Sequence, residues 1–456
     1  MKRYRKWFAI VPIAALVLAA CGGDAEEPAD EPTEEETEEE AEEPAEDETE
    51  EEAEEETEEE AEEEAEEPAE EGEEEEAAPP VRADADLVIW ADDTRRPVIE
   101  PFAEEFGEEQ GISVAVQEVP FDQIRDNVSV QGPAGQGPDV FIGAHDWLGE
   151  LVENGVVAPL DLGDSADEYL DVATQAFAYD GTNYGLPYSI ENIALIRNTE
   201  LVPEPVETLE EMVEVGLDAV EAGDADLPIA WQQNGNGDPF HNYWLVTGAG
   251  GYVFGQAEDG SYQADDLGID SEGGLEAAEI FGELYEQDFL NVDVTYDVMI
   301  DTFSNGRAPF AVTGPWALGD FADVDYAVEP FPTVEGGTPA PFVGVQGFMV
   351  SAFAENDLAA RTFVLDFMGS DEVQLALYEA GSRPPAKVAA FEQVSDDPDV
   401  AGFGAAGEAG RPMPAIPEMG SVWSAWTDAY ENIAAGQDPQ EAFEQAASQI
   451  RELIGL

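Results

Sequence analysis

Side chains able to do chemistry are abundant in this chain, and almost all of them are carboxylates. Asp and Glu number 107 against 15 Lys and Arg, with two histidines and one cysteine. Two carboxylates flanking a sugar bond would suit acid and base roles in glycoside hydrolysis. Of the 107 acids, 36 fall within residues 24–76, which leaves 71 elsewhere, so paired carboxylates are expected by chance and single out no catalytic pair. His145 and His241 are far apart, and no H-E-x-x-H helix pattern joins a histidine pair for metal. A lone Cys21 allows neither an intramolecular disulfide nor a cysteine metal site. No nucleophile elbow, phosphate loop or dinucleotide glycine fingerprint stands out. These residues point to no catalytic centre, no metal and no cofactor. Each of the eight tryptophans is, taken alone, more naturally a core residue than a ligand platform.

The elements that must position these groups begin after a long leader. Lys2, Arg3, Arg5 and Lys6 precede an apolar run over 7–20 that is too short to span a bilayer, which describes an export signal. Leu18, Ala19, Ala20 and Cys21 resemble the lipobox of bacterial lipoproteins, and that resemblance implies cleavage before Cys21 and lipidation of its sulfur. Residues 24–76 contain no Lys or Arg, and their repelling glutamates cannot bury enough apolar surface to order themselves. The sequence therefore predicts an expanded tether over 21–80. Its last 57 residues would span about 190 Å when stretched, at about 3.3 Å per residue.

The net charge of −92 disfavours nucleic-acid phosphate and anionic headgroups as partners. Beyond the tether, 71 acids face 11 bases, so residues 81–456 still carry about −60. That balance reads as a solvated surface adapted to high salt, where screening relieves self-repulsion.

Length alone predicts two lobes in the remainder. Residues 85–91 read as a strand with a polar exit at Asp92 and Asp93, 96–107 as a helix with Pro97 in its first turn, and 112–119 as the next strand. A strand over 139–145 runs into a helix over 146–154 that Gly155 stops. This α/β series predicts a parallel sheet whose ligand side lies at the carboxyl ends of the strands, where Asp92, Asp93 and Asp146 sit. A second unit starts after Asn198, with Thr208 and Glu211 at capping-box spacing and a strand over 227–231. Helices are expected over 275–289 and 358–379.

Seven stretches then carry a resemblance: LVIWADD (87–93), GPDVFIGAHD (137–146), YGLPYSIENIALIRN (184–198), GDPFHNYWLVTGAGGY (237–252), VTGPWAL (312–318), PFVGVQGF (341–348) and MPAIPEMGSVW (413–423). In this order and spacing the chain resembles the maltose and maltodextrin binding proteins among the extracellular solute-binding proteins. The resemblance implies a two-lobe fold with chain crossings near 189–193, 342–345 and 388–392. One lobe would comprise 84–192 with 345–391, and the other 193–341 with 392–456. It also implies a monomeric, non-enzymatic component of an ABC importer that meets the membrane through its lipid anchor and hands an oligosaccharide to a permease.

A pyranose has an apolar CH face and a rim of hydroxyls, which aromatic plates and carboxylates suit. Trp316 and Trp423 match family stacking positions, while Asp93, Asp146 and Glu191 match polar sugar contacts. Asp238 and Phe240 match the acidic-Pro-aromatic element, and Tyr243 follows one helical turn later as a further wall. Departures are equally specific. Gly143 stands where the family has tryptophan, Trp147 where it has arginine, and Ser424 and Thr427 replace a tyrosine and an arginine beside an extra Trp426. The stacking element is thus expected to have shifted toward Trp147, with maltodextrin the first choice of ligand. A secreted glycoside hydrolase, or a binding protein for a polyol or polyamine, are the alternatives.

Overall fold

The computed structural model describes residues 81–257 and 261–456. The export signal, Cys21 and the acidic tether lie outside the described residues. What is described is an α/β chain built around three hydrophobic clusters, one in a first body and two adjoining in a second.

The first body is organised by β1 (Leu87–Ala91), β2 (Val114–Glu118), β3 (Val140–Ala144), β4 (Gly185–Asn192), β9 (Phe342–Val350) and β10 (Arg411–Pro412). Between these come β5 (Ala194–Asn198), β6 (Ala230–Trp231), β7 (Phe310–Thr313) and β8 (Tyr326–Glu329) of the second body. Strands β1 and β3 are buried along their whole length, as continuous apolar runs in a covered parallel sheet should be. Burying each such Val, Leu or Ile contributes about 1.5–3 kcal/mol. The order is β10-β9-β3-β1-β2, with β4 on the other edge of β9. Strands β1, β2 and β3 are parallel as expected, but β9 runs antiparallel to both β3 and β4. The sheet is therefore mixed, because β9 returns from the second body instead of following a crossover helix. Its register sets Gln346 beside Ala144, so the returning chain enters at the carboxyl end of β3.

The second body's sheet has the order β8-β5-β7-β6. The chain passes into it at Asn192 and Ile193, returns between Phe342 and Val345, and leaves the first core again between Ala386 and Phe403. These are three crossings.

Several elements differ from the sequence expectation, each for a local reason. The first helix spans Arg96–Gln110 and ends at left-handed Gly111, running through Gly107, whose bare Cα lies against Ile112 and Val114. Residues 227–231 yield only the two-residue β6. The expected helix over 358–379 divides into Asp357–Thr362, a π-turn at Phe363–Met368 and Asp371–Gly381, because Ser370 caps a new helix by accepting from Val373 N–H. Thr208 caps Leu209–Ala222 by accepting from Glu211 N–H at 3.2 Å, while the Glu211 carboxylate accepts from Glu207 N–H at 2.9 Å.

Candidate functional site

A cavity of about 910 Å³ opens where the two bodies face each other, and the carboxyl ends of β1 and β3 supply its floor. Asp92 and Asp93 follow β1. Asp92 is buried; it accepts backbone bonds from Thr94 and Arg95 and pairs with the Arg95 guanidinium, while Asp93 is exposed on the rim. Arg95 is buried too, bonded to the Tyr188 hydroxyl with its Cζ 4.9 Å from the Phe121 ring centroid. Burial opposes its charge, but Tyr188, Asp92 and Glu191 outweigh burial and hold the guanidinium above its ordinary value.

After β3 the chain tightens into a 3₁₀ turn, His145–Trp147, that aims Asp146 and Trp147 at the cavity. Asp146 Oδ1 is buried without a hydrogen-bond partner. Burial pushes its carboxyl up to about 7; its own backbone N–H and Arg125 pull the other way, and Glu191 adds to the rise. His145 has a structural role, buried and bonded to backbone on both sides. Its Nδ1 accepts from Val345 N–H and its Nε2 donates to the Met413 carbonyl, both at 3.1 Å, and burial pushes the ring down to about 4. Trp147 lies tilted on Phe121, centroids 4.9 Å apart. Gly143 makes room for it, since a Cβ there would come within 2.7 Å of the indole Cε3 and 2.5 Å of Met349. The Trp147 ring stands over the glycine.

Glu191, near the end of β4, is buried with both oxygens engaged. Oε1 accepts from Gln346 Nε2 at 2.7 Å and Oε2 from Arg383 Nε at 2.6 Å. Gln346 Oε1 is left buried and unpartnered in the cavity wall.

The second body contributes the opposite wall, and it is aromatic. Trp316 lies in the turn Pro315–Phe321 after β7, folded back over Gly314, where a Cβ would collide with its ring. Phe240 belongs to the helix Pro239–Gly248, and its centroid lies 6.3 Å from Trp316. Trp423 opens the helix Trp423–Ala434. Phe342 backs the wall, 6.2 Å from both Phe240 and Trp423.

The structure therefore gathers Asp93, Asp146, Trp147, Glu191, Phe240, Trp316 and Trp423 around one cavity. Two expected side chains stand apart. Asp238 does not line it: the carboxylate caps the helix by accepting from His241 N–H, and also accepts from Gln232 and Asn234 and from His241 Nδ1 at 2.9 Å. Burial opposes that charge, but His241 and Gln232 outweigh it and hold Asp238 below the usual carboxylate range. It orients His241, whose Nε2 is buried, unpartnered and part of the cavity wall. Tyr243 does not line this cavity either. It lies behind, flush on Phe342 at 3.6 Å. Gln346 and Arg383 had no local signal, since each acts through a partner distant in sequence, whereas Arg95 joins a near neighbour, Asp92, to the distant Tyr188 and Phe121.

The family profile described as bacterial extracellular solute-binding protein matches residues 102–402. The chain belongs to this family. Among these solute-binding proteins, the maltotriose-binding protein of Pyrococcus abyssi is 32% identical over 343 residues, 71% of this chain and 72% of the relative. The galactooligosaccharide-binding protein of Bacillus subtilis is 28% identical over 380 residues, 80% of this chain and 88% of the relative. Among solved structures, the maltotriose binding protein of Thermus thermophilus, bound with maltotriose, superimposes with a TM-score of 0.74 at 31% identity, covering 81% of this chain and all of that one (100%). This establishes the two-lobe solute-binding fold.

Proposed function

We propose that the protein is the oligosaccharide-binding component of an ABC importer and takes a maltodextrin between its two bodies. The observation that carries this reading is the division of the cavity. One wall offers the aromatic faces of Phe240, Trp316 and Trp423, and the other offers the polar side chains of Asp93, Asp146 and Gln346. A pyranose has an apolar face and a polar rim, and this arrangement meets both at once. The cavity also falls within the range of about 300–1,000 Å³ usual for small-molecule sites. Asp93, Asp146, Trp147, Glu191, Phe240, Trp316 and Trp423 are the ligand-binding set, with Asp238 acting through His241. The maltotriose-binding and galactooligosaccharide-binding relatives support an oligosaccharide of a few residues.

A thermal-shift screen of a sugar library tests the reading, because a ligand that binds only the folded state raises the unfolding midpoint. Maltotriose should raise it and be recovered intact; release of maltose or glucose with time would instead reveal a hydrolase. A midpoint unmoved by every oligosaccharide would exclude the sugar site.

In this reading the protein acts as a monomer outside the cytoplasm, held to the outer face of the cell membrane by lipid on Cys21. The acidic stretch over 21–80 lets the binding bodies work away from the bilayer. Cys21→Ser should abolish lipid labelling, and labelling that persists would refute the anchor. The surplus of acid over base beyond the tether fits a life at high salt.

A further inference from the structure

Arg383 bridges the two bodies. It follows the helix Asp371–Gly381, whose cap Ser382 adopts a left-handed backbone with φ 53°. The segment after it is fastened beside β4: Ile190 N–H donates to the Pro384 carbonyl and Ala386 N–H to that of Tyr188, both at 2.9 Å. Leu377 and Ala386 belong to the first core, so the root of Arg383 is fixed there. Its tip is elsewhere. The guanidinium carbon lies 5.5 Å from the centroid of Trp316, an indole packed against the second body's clusters.

The contact is constrained on every side. Arg383 Nε donates to Glu191 Oε2 at 2.6 Å, and the Arg383 and Glu191 side chains are only 12% and 7% exposed. Gln346 fixes the other Glu191 oxygen. Gly381 gives the guanidinium space, since a Cβ there would come within 2.7 Å of Nη1. A planar guanidinium can hold a carboxylate along one edge while laying its face on a ring, which an ammonium cannot do. Low exposure strengthens both interactions.

We propose that Arg383 is a positioning residue, a latch from the first body that holds the Trp316 indole in place across the cleft. Glu191, besides its place in the ligand-binding set, aims the latch through Oε2, and Trp316 presents its remaining surface to the ligand. The proposal rests on the sugar reading only for its affinity readout.

The test uses the full-length chain and the variants Arg383→Met and Arg383→Lys. Maltotriose titration should show Arg383→Met weakened on the order of five- to thirtyfold, the span expected of a partly desolvated cation–π contact. Arg383→Lys should keep the fold and the pairing with Glu191 yet recover little of that affinity; full recovery would overturn the latch. In a Trp316→Leu background the Arg383 substitutions should have no further effect, whereas additive losses would overturn the proposal. A second readout needs no sugar. Spin labels at Leu358→Cys and Val298→Cys, exposed positions on helices of the first and second bodies, report their separation in a Cys21→Ser background. Arg383→Met should broaden that distance distribution toward longer values without ligand. An unchanged distribution would sink the latch, even were maltotriose not the ligand. Circular dichroism guards against misfolding, and Arg383→Lys carries both measurements if Arg383→Met does not fold.

Discussion

The two walls of the cleft are built on opposite principles. The first body's wall is polar and already paired internally: Asp92 with Arg95, and Glu191 with Arg383 and Gln346. The second body's wall is a set of half-buried rings, Phe240, Trp316 and Trp423, with their backs on Phe342 or the adjoining core and their fronts in the cavity. A paired charge changes little in free energy when a neutral ligand arrives, whereas a bare aromatic face gains whatever surface the ligand covers. Affinity should therefore reside mainly in the aromatic wall, and orientation in the polar side chains opposite, Asp93, Asp146 and Gln346.

The strongest way to break this contrast is to truncate the rings. Trp316→Ala and Trp423→Ala should each lower maltotriose affinity about thirtyfold or more, equivalent to about 2 kcal/mol, as loss of an aromatic anchor commonly does. Both rings are only half-buried, so circular dichroism should show an intact fold. Calorimetric titration decides the matter; undiminished affinity in both variants would return the two tryptophans to the core.

The polar wall is probed by Asp146→Asn. With its carboxyl pushed up to about 7 in the folded state against an ordinary 3.8, the folded protein holds a proton that the unfolded chain releases between those values. The sign follows: this residue's contribution to stability is fully present below about pH 4 and is lost as pH rises toward 7. Asparagine does not titrate. The variant's unfolding midpoint should therefore gain on wild type between pH 4 and pH 7, by a difference on the order of a few kcal/mol at the upper end. A constant difference across that range would show that Asp146 titrates normally.

A third substitution tests Trp147, which shares the polar wall with Phe121. In Gly143→Ala the new methyl must displace Trp147 or Met349, both buried. Overpacking of this kind costs about 1–3 kcal/mol. Chemical denaturation should register that loss, and maltotriose binding should weaken because Trp147 tilts away from Phe121. A Gly143→Ala protein equal to wild type in both would mean that the glycine is incidental.

How much of this was legible in the sequence differs between the walls in the same way. Strands β1 and β3 announce themselves as apolar runs ending in acids, and Trp316 and Trp423 sit in short stretches that carry a family resemblance, so their positions were readable locally. Arg383 was not. Its partner Glu191 is 192 residues away, and nothing within its own turn signals the contact. Asp238 was legible as an acid before a proline and an aromatic, but that pattern equally describes a helix cap, and capping is what its oxygens do. The antiparallel entry of β9 was hidden for a related reason. Hydrophobic runs predict strands, whereas strand direction depends on where the chain returns from.

The smallest effect sharpens the contrast by showing what salt leaves alone. The folded region carries about −60 spread over its surface, and raising sodium chloride from 0.1 M to 1 M shortens the screening length from about 10 Å to about 3 Å. Self-repulsion should relax, so the unfolding midpoint of the full-length protein should climb across that range. A sugar has no charge to screen, and the Arg95 and Arg383 ion pairs beneath it are buried, where screening acts weakly. Maltotriose affinity should accordingly stay within about threefold, under 0.7 kcal/mol, over the same range. The two curves belong in one experiment, with midpoint and affinity measured on the same samples. A midpoint that falls with salt would count against the high-salt reading of the surface. An affinity that falls steeply while the midpoint rises would mean that charge carries the ligand, as for a polyamine, and would move the weight of recognition from the rings to the acids opposite.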